Sequence, residues 1–303
     1  MTRVICIGEC MVELRATGAD TFARAYAGDA YNTAVYLKRS LLDAQVQFLT
    51  ATGDDALSRA MRQAWRSEGI DGALCFTVTA GSPGLYLIEN DARGERRFHY
   101  WRSNSAARRW LAFLEDLGET VLWGADVVYL SGISLAILSP AERAGAIALL
   151  RRMRPHVGRI AFDPNVRLTL WETPEAAAAT IEEALSIADI ALPSREDARL
   201  LLGVDDPIEQ IIRLQRIGVR EIALTLGADG CLIADSDGRA RLPAPGVEVI
   251  ADTSGAGDAF NGAYLASRLR GGSMEEAAQS GLLLGSRVIS HTGAVVPKSV
   301  SHP

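Results

Sequence analysis

The run Asp-Thr-Ser-Gly-Ala-Gly-Asp-Ala-Phe-Asn-Gly at residues 252–262 combines a carboxylate with backbone amides that small residues leave accessible. Gly255, Ala256 and Gly257 stand where a helix-like pattern begins. The N–H groups at a helix N-terminus lack intrahelical partners and lie at the positive end of the helix dipole, so they bind anions. Asp258 falls in the same first turn. A carboxylate beside an anion site can accept a hydroxyl proton while the amides stabilise charge on a transferred phosphoryl group.

A purely structural interpretation of this run is also available. Aspartate is common in the first turn of a helix because the dipole favours it, and Gly-rich turns between strands and helices occur throughout α/β proteins. The short segment 255–258 alone would favour that interpretation. The longer string from 252 to 262 is more specific and favours catalysis.

Residues 27–34 form a second polar segment, at the start of another helix-like run. They bring Gly28, Asp29 and Asn32 close together. Asp29 can serve simply as the helix N-cap. Asn32 offers both a donor and acceptors to the hydroxyls of a ligand.

The stretch from 73 to 102 contains three strand-like runs with no helix between them: Ala73–Thr79, Gly84–Asn90 and Glu95–Arg102. Asp-Ala-Arg-Gly at 91–94 predicts a type I turn closed by glycine. The resulting register places Tyr86 opposite Tyr100, and the two-residue period places Arg102 on the same face. These side chains predict a small antiparallel lid over the site. The alternative is a hairpin packed on the body, with Arg102 in solvent.

Asp-Pro-Asn-Val-Arg at 163–167 ends another predicted strand, so Arg167 can project into a cleft at the edge of the sheet. Arg102 and Arg167 come from different parts of the chain and are predicted to face the same cleft. A pair of guanidiniums favours a substrate with a carboxylate, which the planar arginine fork binds bidentately. A neutral hexose would leave both charges without partners in a closed site.

Short apolar runs alternate with helix-like patterns along most of the chain. The predicted core strands are Val4–Gly8, Gln47–Thr52, Val127–Ser131, Arg159–Asp163, Ile190–Pro193, Glu221–Thr225 and Cys231–Ala234. A further strand-like run, with Val247, Val249 and Ile250, precedes the 252–262 string. The predicted helices are Asn32–Leu41, Ala56–Glu68, Ala141–Arg154, Pro174–Ala184, Glu196–Leu202, Pro207–Ile217, Gly257–Arg270 and Met274–Ile289. This alternation predicts an α/β three-layer sandwich, with a mostly parallel sheet that gathers ligands at the C-terminal ends of its strands.

Composition narrows the class of protein. A chain of 303 residues that is 48% hydrophobic is long enough for one large α/β domain. The net charge of −6, without a basic stripe, argues against nucleic-acid binding. No apolar run reaches the roughly 18 residues of a membrane span, and the N-terminus enters a strand without a signal peptide. We therefore expect a cytoplasmic protein with no membrane partner.

Lysine and cysteine usage excludes several chemistries. The chain's only lysines are Lys38 and Lys298, and no Gly-rich loop ends in Gly-Lys-Ser/Thr, which excludes a P-loop enzyme. Neither lysine stands where a buried Schiff-base amine is expected, which weakens a keto-acid aldolase. The cysteines and histidines show no metal-ligand spacing, so the cysteines are interpreted as buried free thiols: Cys6, Cys10, Cys75 and Cys231.

The string at 252–262 closely resembles the C-terminal signature of the ribokinase-like sugar kinases, the PfkB family. The similarity extends from about residue 4 to 296. It implies one kinase domain over residues 1–303, with a β lid built from about 9–30 and 73–104. By this resemblance Asp258 is the catalytic base, and the anion site consists of Gly255, Ala256 and Gly257.

Further segments resemble the family members that phosphorylate 2-keto-3-deoxygluconate at its terminal hydroxyl: residues 8–13, 32–37, 98–102, 105–107 and 192–194. Ala27 departs from the family, which has glycine there. The resemblance implies a set of substrate-binding residues, in which Gly28 and Asn32 hold sugar hydroxyls and the tyrosines and arginines contact the keto-acid end: Gly28, Asn32, Tyr86, Tyr100, Arg102, Arg167 and Asp258.

On the nucleotide side, residues 224–230 end a strand in a Gly-rich turn that borders the nucleotide in the family. The family's Asn-x-x-Glu, which orders Mg²⁺ through water, here reads Ser-Arg-Glu-Asp at 194–197, so Asp197 takes the glutamate position. Residues 290–295 resemble the adenine pocket and, in some relatives, a K⁺ site. The implied nucleotide-binding residues are Ser194, Thr225, Gly227, Gly230, Gly255 and Gly257.

The resemblance thus implies a kinase that uses ATP and Mg²⁺, with K⁺ left open, and a sugar acid as substrate. Lid hairpins often pair between subunits in this family, and an open edge strand invites pairing, so a dimer or a multiple of dimers is expected. Three alternatives remain: a fructokinase or ribokinase of the same family, a non-catalytic sugar-binding protein of the same fold, and the disfavoured aldolase.

Overall fold

The computed structural model describes residues 1–18, 20–90 and 96–301, with Asn90 and Arg96 described by their backbone alone. The strands, numbered in chain order, are β1 (Arg3–Ile7), β2 (Met11–Gly18), β3 (Thr21–Ala27), β4 (Gln45–Gly53), β5 (Cys75–Val78), β6 (Leu85–Asn90), β7 (Arg96–Trp101), β8 (Val127–Ser131), β9 (Arg159–Asp163), β10 (Ile190–Ala191), β11 (Glu221–Thr225), β12 (Cys231–Ala234) and β13 (Arg239–Leu242). The helices are α1 (Asp29–Ser40), α2 (Ala56–Ser67), α3 (Trp110–Leu117), α4 (Gly132–Ala136), α5 (Pro140–Met153), α6 (Pro174–Ile187), α7 (Arg195–Leu202), α8 (Pro207–Ile217), α9 (Ala256–Leu269), α10 (Met274–Ile289) and α11 (Lys298–Ser301).

The larger sheet of the described chain has nine strands in the order β13-β12-β11-β10-β9-β8-β1-β4-β5. Its pairs from β11 through β5 are parallel, and β12 and β13 add antiparallel pairs at one end. Alternate residues of β1 face opposite layers. Ile5 and Ile7 pack in one apolar cluster, whereas Val4 and Cys6 pack in another.

Helices cover both faces of this sheet. The layer against Ile5 contains the buried side chains of α3, α5, α6 and α8, including Trp110 and Ile147. The opposite layer contains those of α1, α9 and α10, including Tyr31 and Tyr264. The predicted three-layer α/β sandwich is confirmed. Among the described residues, none of the helices is both long and apolar enough to cross a bilayer.

The smaller sheet has the order β3-β2-β6-β7. Its outer pairs are antiparallel, and β2 and β6 at its centre run parallel. The predicted register is confirmed, because Tyr86 pairs with Tyr100. The predicted turn at 91–94 lies outside the described residues.

Two predicted strands differ from the structure. The run Ala73–Thr79, assigned to the lid, instead contributes β5, which pairs with β4 at the edge of the larger sheet. The run at 247–250 forms no strand, and Val249 and Ile250 are exposed. Both runs are rich in β-branched residues, but that propensity does not specify a pairing partner. The assignment of residues 1–303 to a single kinase domain stays a prediction.

Candidate active site

A cleft of about 790 Å³ opens between the smaller sheet and the C-terminal ends of the strands of the larger sheet. Most of the predicted site residues line it: Gly28, Asn32, Tyr86, Tyr100, Arg102, Arg167, Ser194, Asp197, Thr225, Gly255, Gly257 and Asp258. Ala256 lies between the two lining glycines in the same turn. Gly227 and Gly230 are not among the lining residues.

The turn that begins α9 is held tightly in place. Gly255 is the N-cap and has a left-handed φ of 75°, and a Cβ there would lie 2.3 Å from the carbonyl oxygen of Ala294. The buried carboxylate of Asp252 accepts hydrogen bonds from the backbone N–H of Ser254 and of Gly293, both at 2.8 Å. These contacts fix the first amides of α9 toward the cleft, where helix dipole and orphan N–H groups favour an anion.

Asp258, in the first turn of α9, is half-buried at the base of the cleft. Its Oδ2 accepts a 2.7 Å hydrogen bond from Nδ2 of Asn32. Burial, with the nearby charge of Asp29, raises the pKa of Asp258 to about 7, although the bond from Asn32 and the charge of Arg167 oppose the rise. A carboxylate that titrates near neutral pH is well suited to take a proton from a hydroxyl.

Three aspartate–asparagine pairs surround this position. Besides the pair at Asp258, Asn165 donates to Asp29 at 2.7 Å and Asn261 donates to Asp163 at 2.8 Å. Burial and the neighbouring carboxylates hold the pKa of Asp163 well above its usual range. Sequence reasoning did not assign Asp163, Asn165 or Asn261 to the site. The available signal was a polar residue at the end of an apolar strand, and for Asn261 its place inside the 252–262 string.

The aromatic and basic side chains lie on the opposite wall. The rings of Tyr86 and Tyr100 stack with centroids 5.6 Å apart, and the hydroxyl of Tyr86 donates to the buried carboxylate of Glu13. Burial raises the pKa of Tyr100, and the charges of Arg102 and Arg167 oppose that rise, so both guanidiniums act on one ring. The structure thus brings the two predicted arginines to one cleft.

The two arginines differ in how they are held. Arg102 is 11% exposed and forms an ion pair with the buried Glu9. Arg167 is 55% exposed, lies 3.9 Å from Asp197 and donates to the carbonyl of Val166 at 2.9 Å.

On the side of the cleft predicted to bind the nucleotide, Ser194 and Asp197 form the capping box of α7. The hydroxyl of Ser194 accepts from the backbone N–H of Asp197, and the carboxylate of Asp197 accepts from that of Ser194. Asp197 also accepts from the N–H of Val166 at 2.7 Å. Gly230 has a structural role, since a Cβ there would lie 1.9 Å from the carbonyl oxygen of Leu242 on β13. Glycine at position 230 thus permits the close approach of β13, and a nucleotide contact at 227–230 stays a prediction.

Comparison with known proteins agrees with this geometry. Residues 1–300 match the family model described as pfkB family carbohydrate kinase. The chain is 41% identical to the 2-dehydro-3-deoxygluconokinase of Escherichia coli strain K12, over 98% of this chain and 97% of that protein.

Solved structures share the overall fold. A PfkB protein from Polaromonas sp. JS666 is 28% identical and superposes with a TM-score of 0.85 over 99% of each chain. The aminoimidazole riboside kinase of Salmonella enterica, solved with aminoimidazole riboside and an ATP analogue, is 25% identical with a TM-score of 0.85, over 100% of this chain and 96% of that one. The chain therefore belongs to the pfkB family of carbohydrate kinases and is a phosphotransferase with an alcohol group as acceptor.

Proposed function

We propose that this kinase transfers the γ-phosphoryl group of ATP to the terminal hydroxyl of 2-keto-3-deoxygluconate. The observation that carries the proposal is one cleft holding Asp258 at the N-terminus of α9 together with Arg102 and Arg167. The base and the anion site account for phosphoryl transfer to an alcohol, and the two guanidiniums account for an acidic substrate. The relative with 41% identity supports the same substrate.

In this mechanism Asp258 takes the proton of the attacking hydroxyl while the oxygen of that hydroxyl forms a bond to the γ-phosphorus. The bond from that phosphorus to the bridging oxygen breaks, and ADP leaves with the electron pair. The amides at 255–257 stabilise the charge on the transferred group. Asn32 orients the carboxylate of Asp258 through its 2.7 Å hydrogen bond, and the aromatic wall excludes water that would otherwise be phosphorylated.

The residues of the cleft are compatible with a magnesium ion. Asp163 and Asp197 both line it, and the charge of Asp197 helps to raise the pKa of Asp163, a repulsion that a cation would relieve. Both oxygens of Asp197 already accept hydrogen bonds. We therefore propose that Asp197 acts through bound water, as suits Mg²⁺, which keeps several waters and neutralises phosphate charge when bound.

The test of the proposed function is a coupled ADP-release assay on the purified chain. Its acceptors are 2-keto-3-deoxygluconate, its galactonate epimer, fructose, ribose and aminoimidazole riboside. We expect the two sugar acids to have the highest kcat/KM. Preferential turnover of fructose or ribose would refute the assignment in favour of a neutral-sugar kinase of the same family.

Replacement of Arg167 by alanine should raise KM for the sugar acid about 10- to 100-fold, with a smaller change in kcat. The guanidinium binds the carboxylate in both the ground state and the transition state, so its loss removes uniform binding. Steady-state kinetics at varied acceptor concentration measures the effect. Arg151→Ala is the matched control, since Arg151 is 56% exposed and pairs with Glu183 at 3.6 Å, away from the cleft. Equal loss of activity toward a neutral sugar would contradict the role of Arg167.

Assembly and location stay predictions of the sequence. Within the described residues, β3 and β7 at the edges of the smaller sheet each pair with one strand. That arrangement supports a dimer or a multiple of dimers formed through the smaller sheet. A cytoplasmic location and the use of K⁺ are retained as expectations.

A further inference from the structure

Glu9 lies in the segment between β1 and β2 and is 1% exposed. It does not line the cleft, but its carboxylate pairs with Arg102, which does. The backbone of Glu9 also approaches α1 closely, since a Cβ on Gly28 would lie 2.1 Å from the carbonyl oxygen of Glu9. Glu9 thus connects the start of α1 to the end of β7, the two elements that carry the substrate side of the cleft.

Gly84 leaves the space that this ion pair needs. A Cβ at residue 84 would lie 2.7 Å from Oε1 of Glu9 and 3.2 Å from Cβ of Arg102. Any larger residue would therefore overlap the carboxylate of Glu9 and crowd the base of the Arg102 side chain. The pair is an enclosed feature of the wall rather than a surface contact.

The ion pair involves one oxygen of the Glu9 carboxylate and one nitrogen of the Arg102 guanidinium. Oε2 of Glu9 accepts from Nη2 of Arg102. In the described part of the chain, Oε1 of Glu9 and Nε of Arg102 are both buried and lack a hydrogen-bond partner. Arginine carries five N–H donors in a rigid fork, so the single bond to Glu9 leaves other Nη donors of Arg102 for a ligand in the cleft.

Arg167 has no comparable support. It is 55% exposed, and its nearest carboxylate, Asp197, lies 3.9 Å away. Long side chains lose rotamer freedom when they bind, and a side chain that is already fixed loses less. Arg102 is therefore the preorganised member of the pair.

We propose that Glu9 is a positioning residue that holds the Arg102 guanidinium ready for the carboxylate of the sugar acid. The proposal rests on the proposed function, because it names the residue that gives that site its preference for an acid. An argument from charge alone predicts the opposite effect on KM. If Glu9 only neutralised Arg102, its removal would strengthen binding of an anion and lower KM.

The test compares wild type, Glu9→Gln, Arg102→Ala and the double variant in steady-state kinetics with 2-keto-3-deoxygluconate and MgATP. Glu9→Gln should raise KM for the sugar acid about tenfold, while kcat and KM for ATP change less than about twofold. In the Arg102→Ala background the same substitution should change KM by less than about twofold, because Glu9 acts through Arg102.

Glu221→Gln is the matched control. Its half-buried carboxylate pairs with Arg268 at 2.7 Å outside the cleft. Loss of that carboxylate therefore measures how far breaking an enclosed ion pair outside the cleft changes KM. Thermal denaturation verifies that each variant is folded. If Glu9→Gln does not fold, Glu9→Asp replaces it, because it keeps the charge on a side chain one methylene shorter and should also raise KM.

An unchanged or lowered KM in the Glu9 variant would overturn the inference, as would an undiminished effect in the Arg102→Ala background. These outcomes differ from failure of the proposed function. In that case wild type itself would not phosphorylate the sugar acid, whatever residue stands at position 9.

Discussion

Asp258→Asn is expected to lower kcat by about two to four orders of magnitude, while KM for the sugar acid and for ATP changes little. Asparagine keeps the size of the side chain but cannot accept the hydroxyl proton. Coupled assay of ADP release, with single-turnover phosphorylation to separate chemistry from product release, measures the loss. Normal turnover by Asp258→Asn would refute its role as the base.

The pH dependence of wild type provides a second measure of the same group. Because the pKa of Asp258 is raised to about 7, kcat/KM should fall about tenfold per pH unit below that value, as the base becomes protonated. Asp29→Asn is the matched variant. It removes a charge that raises this pKa, so the inflection should move to lower pH.

The raised pKa of Asp258 also predicts how the stability of the folded protein changes with pH. The folded-state pKa lies above the ordinary value of 3.8, so the folded protein binds the proton more tightly than the unfolded chain. Wild type should therefore lose stability relative to Asp258→Asn as pH rises from about 4 to about 7. Urea unfolding of both proteins at pH 5 and pH 8 measures this difference. The prediction would be contradicted if the unfolding free energy of wild type, relative to that of Asp258→Asn, were higher at pH 8 than at pH 5.

Gly255→Ala should lower the free energy of unfolding by about 1–3 kcal/mol and reduce kcat/KM by about 100-fold. The left-handed φ of 75° disfavours alanine, and the new methyl group would lie 2.3 Å from the carbonyl oxygen of Ala294. Relief of that overlap must move the first turn of α9, and with it the amides proposed to stabilise the phosphoryl group. Chemical denaturation and steady-state kinetics measure the two effects.

Gly257→Ala, in the same turn, is the control for stability. Apart from its chain neighbours and the nearby backbone of its own helix, a Cβ at residue 257 would meet no atom of the described residues within 4 Å. Alanine is also favoured over glycine inside a helix. The free energy of unfolding should therefore stay level or rise. An equal loss of stability in both variants would contradict the assignment of the constraint to Gly255.

The sequence predicted what local periodicity and turn chemistry determine. The register that pairs Tyr86 with Tyr100 followed from a two-residue period, and Arg102 then had to share their face. The alternation of strands and helices predicted the layers of the fold. The glycines at 255–257 were recognised because helix N-termini impose local geometry.

Features that depend on distant segments were not predicted. The run that forms β5 was strand-like, but nothing local indicated that β4 would be its partner. The pairing of Glu9 with Arg102, and of Asn165 with Asp29, joins parts of the chain far apart in sequence. The close approach of β13 to Gly230 was also not predicted, because a tight turn and a ligand contact both select glycine. The assignment of Gly230 to nucleotide binding stays a prediction.

The hydrogen bond from Asn32 to Asp258 joins residues 226 positions apart. A ribosome that adds about 5–20 residues per second exposes α1 well before α9. During synthesis the nascent chain thus contains Asn32 before the proposed base, Asp258, has been added. If Asp258 is the base, phosphoryl transfer begins only after α9 has been translated and folded, so incomplete chains would not consume ATP.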